Sequence, residues 1–76
     1  MPPTPCEALG KLPMPVLVME GARTVAGFRV TNDRLMECLP AGSDRAVVPG
    51  APHMWYPVNP EQAAALILAF VRRAAP

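Results

Sequence analysis

Residues 45–56, R-A-V-V-P-G-A-P-H-M-W-Y, contain the pattern around which the rest of the chain is arranged. A short β-branched run ends at Pro49, because proline removes a hydrogen-bond donor and stops strand pairing. The loop that follows contains His53, the one histidine of the chain, and the aromatic pair Trp55-Tyr56. Histidine is the side chain best suited to proton transfer near neutral pH. The pattern therefore predicts a strand that leads into a loop with one candidate general base.

A first strand and a helix are predicted before this stretch, which makes the strand that leads to His53 the second of the chain. Residues 16–19, V-L-V-M, form a continuous apolar run that is typical of a strand covered on both faces. Residues 28–39 have apolar side chains on one side and charged side chains on the other, which indicates a helix that ends before Pro40. Because this helix joins the two strands, we expect them to be parallel with a right-handed crossover.

The last helix has the clearest start signal in the chain. Asn59 is a good N-cap residue, Pro60 suits the first helical position, and Gln62 follows three residues after the cap. Apolar residues then repeat at helical spacing as far as Ala74. The predicted fold class is α/β, a partial β-α-β-α unit with two parallel strands, whose sheet is incomplete when isolated.

The chain divides into two parts. Residues 1–14 are predicted to be an irregular, proline-rich connection with one helical turn at most between Glu7 and Leu12. Residues 15–76 contain all the predicted strands and long helices. Cys6 and Cys38 have neither metal-binding spacing nor enough partners for a disulfide scaffold, so we expect free thiols in a reducing compartment.

Composition limits the partners that the chain is expected to have. With 51% hydrophobic and 17% charged residues among 76, some apolar surface should face more protein. A net charge of +1 and scattered basic residues give no footprint for nucleic acid. The longest apolar run, residues 63–71, is too short for a membrane span of about 20 residues, and no signal peptide is visible. We expect a soluble, cytoplasmic protein with no membrane or nucleic-acid partner.

Few residues are suited to catalysis. Ser43 lies in the turn before the second strand, at the end of the sheet opposite to that where open α/β sheets bind ligands. Glu20 closes the first strand, where it either reaches a site, pairs with an arginine or caps a loop. Trp55 and Tyr56 either line an apolar pocket beside His53 or pack against the last helix. Met54 and Trp55 are the candidate substrate-pocket residues. No cluster of ligands with suitable spacing exists, so neither a metal nor a cofactor is expected.

The ordered set of motifs resembles the C-terminal segment of the α/β-hydrolase family. The matching pieces span roughly residues 12–75. They are P-V-L-V-M-E-G at 15–21, L-x-x-x-L-P at 35–40, A-V-V-P-G-A-P-H at 46–53 and N-P-E at 59–61 before an apolar helix. The resemblance implies that the two strands are the last two of a larger sheet. It also implies that His53 is the catalytic histidine of a Ser-His-acid triad.

Two departures from the family pattern bear on the triad. Many members have an aspartate in a G-x-x-D pattern after the penultimate strand, and here that position is Thr24. Pro52 replaces the small residue that is more usual before the histidine. In the family, the nucleophile precedes the acid and the histidine along the chain. The nucleophile and the oxyanion hole are therefore absent from this chain, and the position of the acid is unknown.

The leading hypothesis is that the chain contributes His53 to an esterase-like hydrolase and is inactive alone. The partner would then be the remainder of the hydrolase domain. The alternative is a non-catalytic α/β module that acts through protein interaction or that pairs with a second copy through its apolar surface. Whether the chain acts in an enzyme is left open by the sequence.

Overall fold

The computed structural model describes residues 4–74 of the chain. It contains a short helix, two strands and two longer helices in the order α1 (Pro5–Gly10), β1 (Leu17–Gly21), α2 (Ala26–Cys38), β2 (Asp44–Val48) and α3 (Pro60–Ala74). The predicted α/β class with two parallel strands is confirmed, because β1 and β2 pair in parallel with Leu17 opposite Asp44 and Gly21 opposite Val48.

The two long helices cover opposite faces of this sheet. Successive strand side chains point to opposite faces, so Arg45 and Asp44 lie on different sides of β2. The Arg45 side chain donates hydrogen bonds to Asp33 and to the Arg29 carbonyl, both in α2. The Asp44 carboxylate instead accepts from Arg73 in α3. The sheet therefore lies between α2 and α3, as in a doubly wound α/β fold.

The apolar core is small and lies between β2 and the start of α3. Val48, Ala51 and Ala63 are its fully buried members. Their partly buried neighbours are Met19, Trp55 and Leu66. α3 begins at Pro60 as its cap pattern predicts, and the Ala63 amide donates to the Asn59 carbonyl in its first turn. This core fixes the carboxyl end of β2 against the helix that follows the histidine loop.

The α2 face of the sheet is held by a charged network. Glu20 is only 6% exposed, and its carboxylate accepts from Arg45, which also pairs with the exposed Asp33. These hydrogen bonds, first with Glu20 and then with Asp33, raise the pKa of the Arg45 guanidinium above its usual value. Of the three roles considered for Glu20, pairing with an arginine is the one observed. The pair joins β1 to β2, and Asp33 ties both to α2.

The proline-rich opening is more ordered than the sequence predicts. Residues 1–3 lie outside the described part, and α1 begins at Pro5, directly after its N-cap Thr4. A capping box explains this helix, because the Thr4 hydroxyl accepts from the Glu7 amide while the Glu7 carboxylate accepts from the Thr4 amide. The prediction of an irregular connection over residues 1–14 missed this reciprocal pair.

The expectation of free thiols is wrong, because Cys6 and Cys38 form a disulfide. α1 folds back onto the C-terminal end of α2 and brings the two Cα atoms to 5.0 Å, within the range that a disulfide requires. The two cysteines are 32 residues apart in the sequence, so no local motif predicts that they pair. It depends on how the opening segment packs.

The fold is flat and leaves much apolar surface uncovered. Its radius of gyration is 13.4 Å, against about 11 Å for a compact domain of this length. Its accessible surface is 5354 Å², against about 4,500 Å² for a compact protein of 8.1 kDa. None of the described helices is both long and apolar enough to cross a membrane. The exposed large apolar side chains are Leu12, Met14, Val25, Phe28, Val30, Val47, Met54, Tyr56, Val58, Ile67, Leu68 and Val71.

Candidate active-site loop

The loop after β2 is held against the turn after β1 by close backbone packing. The Ala22 amide donates to the Val48 carbonyl at 3.0 Å, and the Arg23 amide donates to the Ala51 carbonyl at 2.8 Å. Gly21 is required here, since a Cβ on it would lie 1.9 Å from the Pro52 carbonyl oxygen. The residues that precede His53 are therefore positioned by the end of the neighbouring strand.

The other side of the loop is fixed by a turn and by the cap of α3. Gly50 has a φ of +69°, a left-handed conformation that lets the chain reverse directly after Pro49. The Asn59 side-chain amide donates to the Pro49 carbonyl, which ties the start of α3 to the end of β2. The amides of Val58 and Asn59 both donate to the Trp55 carbonyl and close a turn before the helix.

His53 lies just beyond the carboxyl end of β2, where the sequence predicts it. The residue is exposed. Its imidazole stacks on the Phe28 ring of α2, with centroids 3.9 Å apart and an angle of 9° between the planes. The hydrogen bonds of the described residues include none to this imidazole. Stacking holds the ring plane and leaves the edge with the two nitrogens free for other groups.

The two residues considered for a substrate pocket have different surroundings. Met54 is exposed beside His53. Trp55 is half-buried and packs against the core of Val48, Ala51 and Ala63. The Trp55 and Tyr56 rings meet edge to face at 5.8 Å. The alternative in which Trp55 packs next to the last helix therefore describes its position better, while Met54 is free to contact a ligand.

No carboxylate of the described residues pairs with His53. Glu20, on the neighbouring strand, is already paired with Arg45. Thr24 occupies the position where the resemblance expects an aspartate, and it is buried, with 7% exposed. Its hydroxyl oxygen has no hydrogen-bond partner among the described residues. The acid of a triad has no candidate in this part of the chain.

Ser43 lies at the opposite end of the sheet from His53. Its hydroxyl accepts from the Val16 amide at 3.0 Å, which fastens the entry of β1 to the entry of β2. The five residues of β2 separate the two positions by roughly 16 Å along the strand, at about 3.3 Å per residue. Ser43 is thus a turn residue, as predicted, and it is too far away to be activated by this histidine.

The described residues contain no group of three or more histidine, cysteine, aspartate or glutamate side chains placed to hold a metal ion. One cleft lies between α1 and α2, on the disulfide side of the molecule. Its lining includes Leu9, Leu35, Arg34 and the two cysteines. His53 does not contribute to this cleft, so the cleft and the histidine loop are separate features.

Sequence reasoning identified His53 but missed the groups that position it. The helical pattern of residues 28–39 does not reveal the stacking partner of Phe28, which comes from a loop 25 residues later. The role of Gly21 follows only from the structure, because the approach of the Pro52 carbonyl leaves no room for a Cβ there. The G-x-x-D comparison did draw attention to Thr24, although nothing in the sequence showed that its hydroxyl would be buried.

Comparisons with known proteins give no family assignment, so a function must be argued from the residues of this chain. No family model matches the chain, and neither the curated proteins nor the solved structures contain a significant match to it.

Proposed function

We propose that this chain is the C-terminal part of an α/β-hydrolase domain and supplies His53 as the catalytic histidine. The observation that carries the proposal is the position of His53, exposed directly beyond the carboxyl end of a parallel strand. Ligands and catalytic groups of open α/β sheets collect at this edge. The ordered motifs of residues 12–75 support the same assignment.

The proposed reaction is hydrolysis of an ester or a related acyl bond. The free edge of the His53 imidazole would accept the proton of a serine hydroxyl as that oxygen attacks the acyl carbon. The same nitrogen would then return the proton to the leaving group. The stack on Phe28 and the backbone contacts of Gly21 limit the movement of the ring. Holding a general base in the correct geometry lowers the activation barrier of the proton-transfer step.

The remaining groups of the site would come from other parts of the domain. The serine, the acid and the oxyanion donors have no candidates near His53, so the chain alone should be inactive. The flat shape and the uncovered apolar side chains support the presence of more protein against this unit. Met54 is the residue of this chain best placed to touch the substrate.

A cytoplasmic location has one consequence for the redox state of the two cysteines. The cytoplasm expected from the sequence maintains thiols in the reduced state, whereas the Cys6–Cys38 disulfide is typical of an oxidising compartment. A cytoplasmic protein would therefore hold this pair reduced for most of the time.

Co-expression tests the proposal. The polypeptide encoded immediately upstream of Met1 is produced with and without the tagged chain, and hydrolysis of a chromogenic p-nitrophenyl ester is measured. We expect co-purification and ester hydrolysis by the pair, with no hydrolysis by the chain alone. Equal activity in the presence and absence of the chain would contradict the proposal.

A second function is favoured by a separate observation, the excess of exposed apolar surface. In this alternative the chain is a non-catalytic module that associates with itself or with another protein. Sedimentation equilibrium of the purified chain distinguishes a dimer from a monomer. A stable monomer that unfolds cooperatively would count against self-association and also against the need for a covering domain.

A further inference from the structure

The Cys6–Cys38 disulfide joins α1 to α2, and among the described residues no hydrogen bond links these two helices. α1 has six residues and none of them is buried. Its hydrogen bonds stay within residues 4–12, between Thr4 and Glu7, Thr4 and Ala8, and the last turn with Lys11 and Leu12. Isolated helices shorter than about 12 residues are marginal in water, so α1 depends on its attachment to α2.

The disulfide is also open to solvent. Cys6 is exposed and Cys38 is half-buried. Exposed disulfides are the ones that small thiols reach most easily, and they are more often labile than buried structural bonds. We propose that Cys6–Cys38 is a reversible redox latch that holds α1 against the C-terminal end of α2 when oxidised and releases it when reduced.

The reduction is a two-step thiol exchange with a low-molecular-weight thiol such as glutathione. Its thiolate attacks Sγ of Cys6, the S–S bond breaks, and Cys38 leaves as a thiolate that takes up a proton. A second thiolate then attacks the mixed disulfide and releases Cys6, which is protonated in turn. Two electrons pass from two small thiols to the protein, and the small thiols leave as one disulfide.

The released segment is bounded by features of the fold. Residues 4–15 precede the Val16 amide, whose hydrogen bond to Ser43 fixes the entry of the sheet. The ties between β1, β2, α2 and α3 do not involve α1, and they should survive its release. The cleft between α1 and α2 would open, and Leu35, which lines it together with Leu9, would lose its cover.

Trypsin provides the test, because Lys11 lies directly after α1 and Arg34 lies within α2. The 76-residue chain is digested briefly with and without reduced glutathione, quenched in acid, fully reduced and analysed by mass spectrometry. We expect cleavage after Lys11 to become at least about tenfold faster on reduction, while cleavage after Arg34 changes less than about twofold. Removal of glutathione and re-oxidation of the disulfide should restore the slow cleavage after Lys11.

Three results would overturn the latch. Cleavage after Lys11 at the same rate in both states would show that α1 is not released. Equal acceleration at Lys11 and Arg34 would make the bond a global staple instead of a local latch. Resistance of the bond to millimolar reduced glutathione would show that it is not reversible under cellular thiol. The Cys6→Ser variant is the control, and its Lys11 site should be cleaved rapidly with or without glutathione.

Discussion

The packing of Gly21 against the histidine loop gives the sharpest stability prediction. A Cβ at residue 21 would lie 1.9 Å from the Pro52 carbonyl oxygen and 2.3 Å from that of Ala51. Both atoms are backbone, so the loop must move by more than 1 Å to reach ordinary contact. The Gly21→Ala variant should therefore displace the loop that carries His53.

The expected cost follows from what this displacement breaks. The hydrogen bond from the Arg23 amide to Ala51 lies next to the clash, and so does the bond from Ala22 to Val48. Each contributes about 1 kcal/mol, and overpacking adds roughly 1–3 kcal/mol. We expect Gly21→Ala to lower the free energy of unfolding by about 3–5 kcal/mol.

Gly27→Ala is the matched control, since nothing lies within 4 Å of a Cβ at that position in α2. Alanine is a better helix former than glycine, so this variant should be neutral or more stable by up to about 1 kcal/mol. Urea unfolding followed by circular dichroism measures both variants. Trp55 fluorescence reports on the loop itself, and its emission should shift to the red in Gly21→Ala only. A Gly21→Ala variant within about 0.5 kcal/mol of the parent chain would refute the packing argument.

Three further predictions concern the two faces of the sheet. Val48→Ala should lower the free energy of unfolding in urea by about 2 kcal/mol because Val48 is fully buried. Val47→Ala, at 45% exposed, should lower it by less than about 1 kcal/mol. Equal losses would contradict the assignment of faces. Glu20→Gln should cost about 1–3 kcal/mol because it removes the buried negative charge that pairs with Arg45. Asp33→Asn, at 62% exposed, should cost less than about 1 kcal/mol. Because the pKa of Arg45 is raised on folding, its pairing stabilises the fold fully below the usual pKa of arginine and is lost only as the pH rises through the raised value. The Glu20–Arg45 coupling energy in a double-mutant cycle should therefore be the same at pH 7 and pH 10.

The sequence predicts those parts of the fold that depend on local chemistry. Pro49 ends β2 after Val48, and Asn59-Pro60 starts α3, because proline and a capping side chain act on their immediate neighbours. The strand β2 begins at Asp44, before the β-branched run, and the Asp44 carboxylate pairs with Arg73 from the far end of α3. Periodicity cannot reveal a partner that distant.

The features that escaped prediction all depend on contacts between remote segments. The disulfide needs α1 to fold back onto α2, and the Phe28–His53 stack needs a loop to approach a helix. Pairing of Glu20 with an arginine is one of the three roles that the sequence leaves open, but the choice of Arg45 follows from the strand register. The candidate site was predictable at its one histidine, because a strand end and a loop are local features, and its supports were not.

The most direct test of the account is the rate of ester hydrolysis by the co-expressed pair with His53 replaced. His53→Ala should lower kcat/KM by about 10³-fold or more, since it removes the proposed general base. Tyr56→Phe, at an exposed position of the same loop, should stay within a few-fold of the parent, which would show that a substitution in this loop does not by itself abolish activity. Retention of activity in His53→Ala within a few-fold of the parent would contradict the assignment of His53.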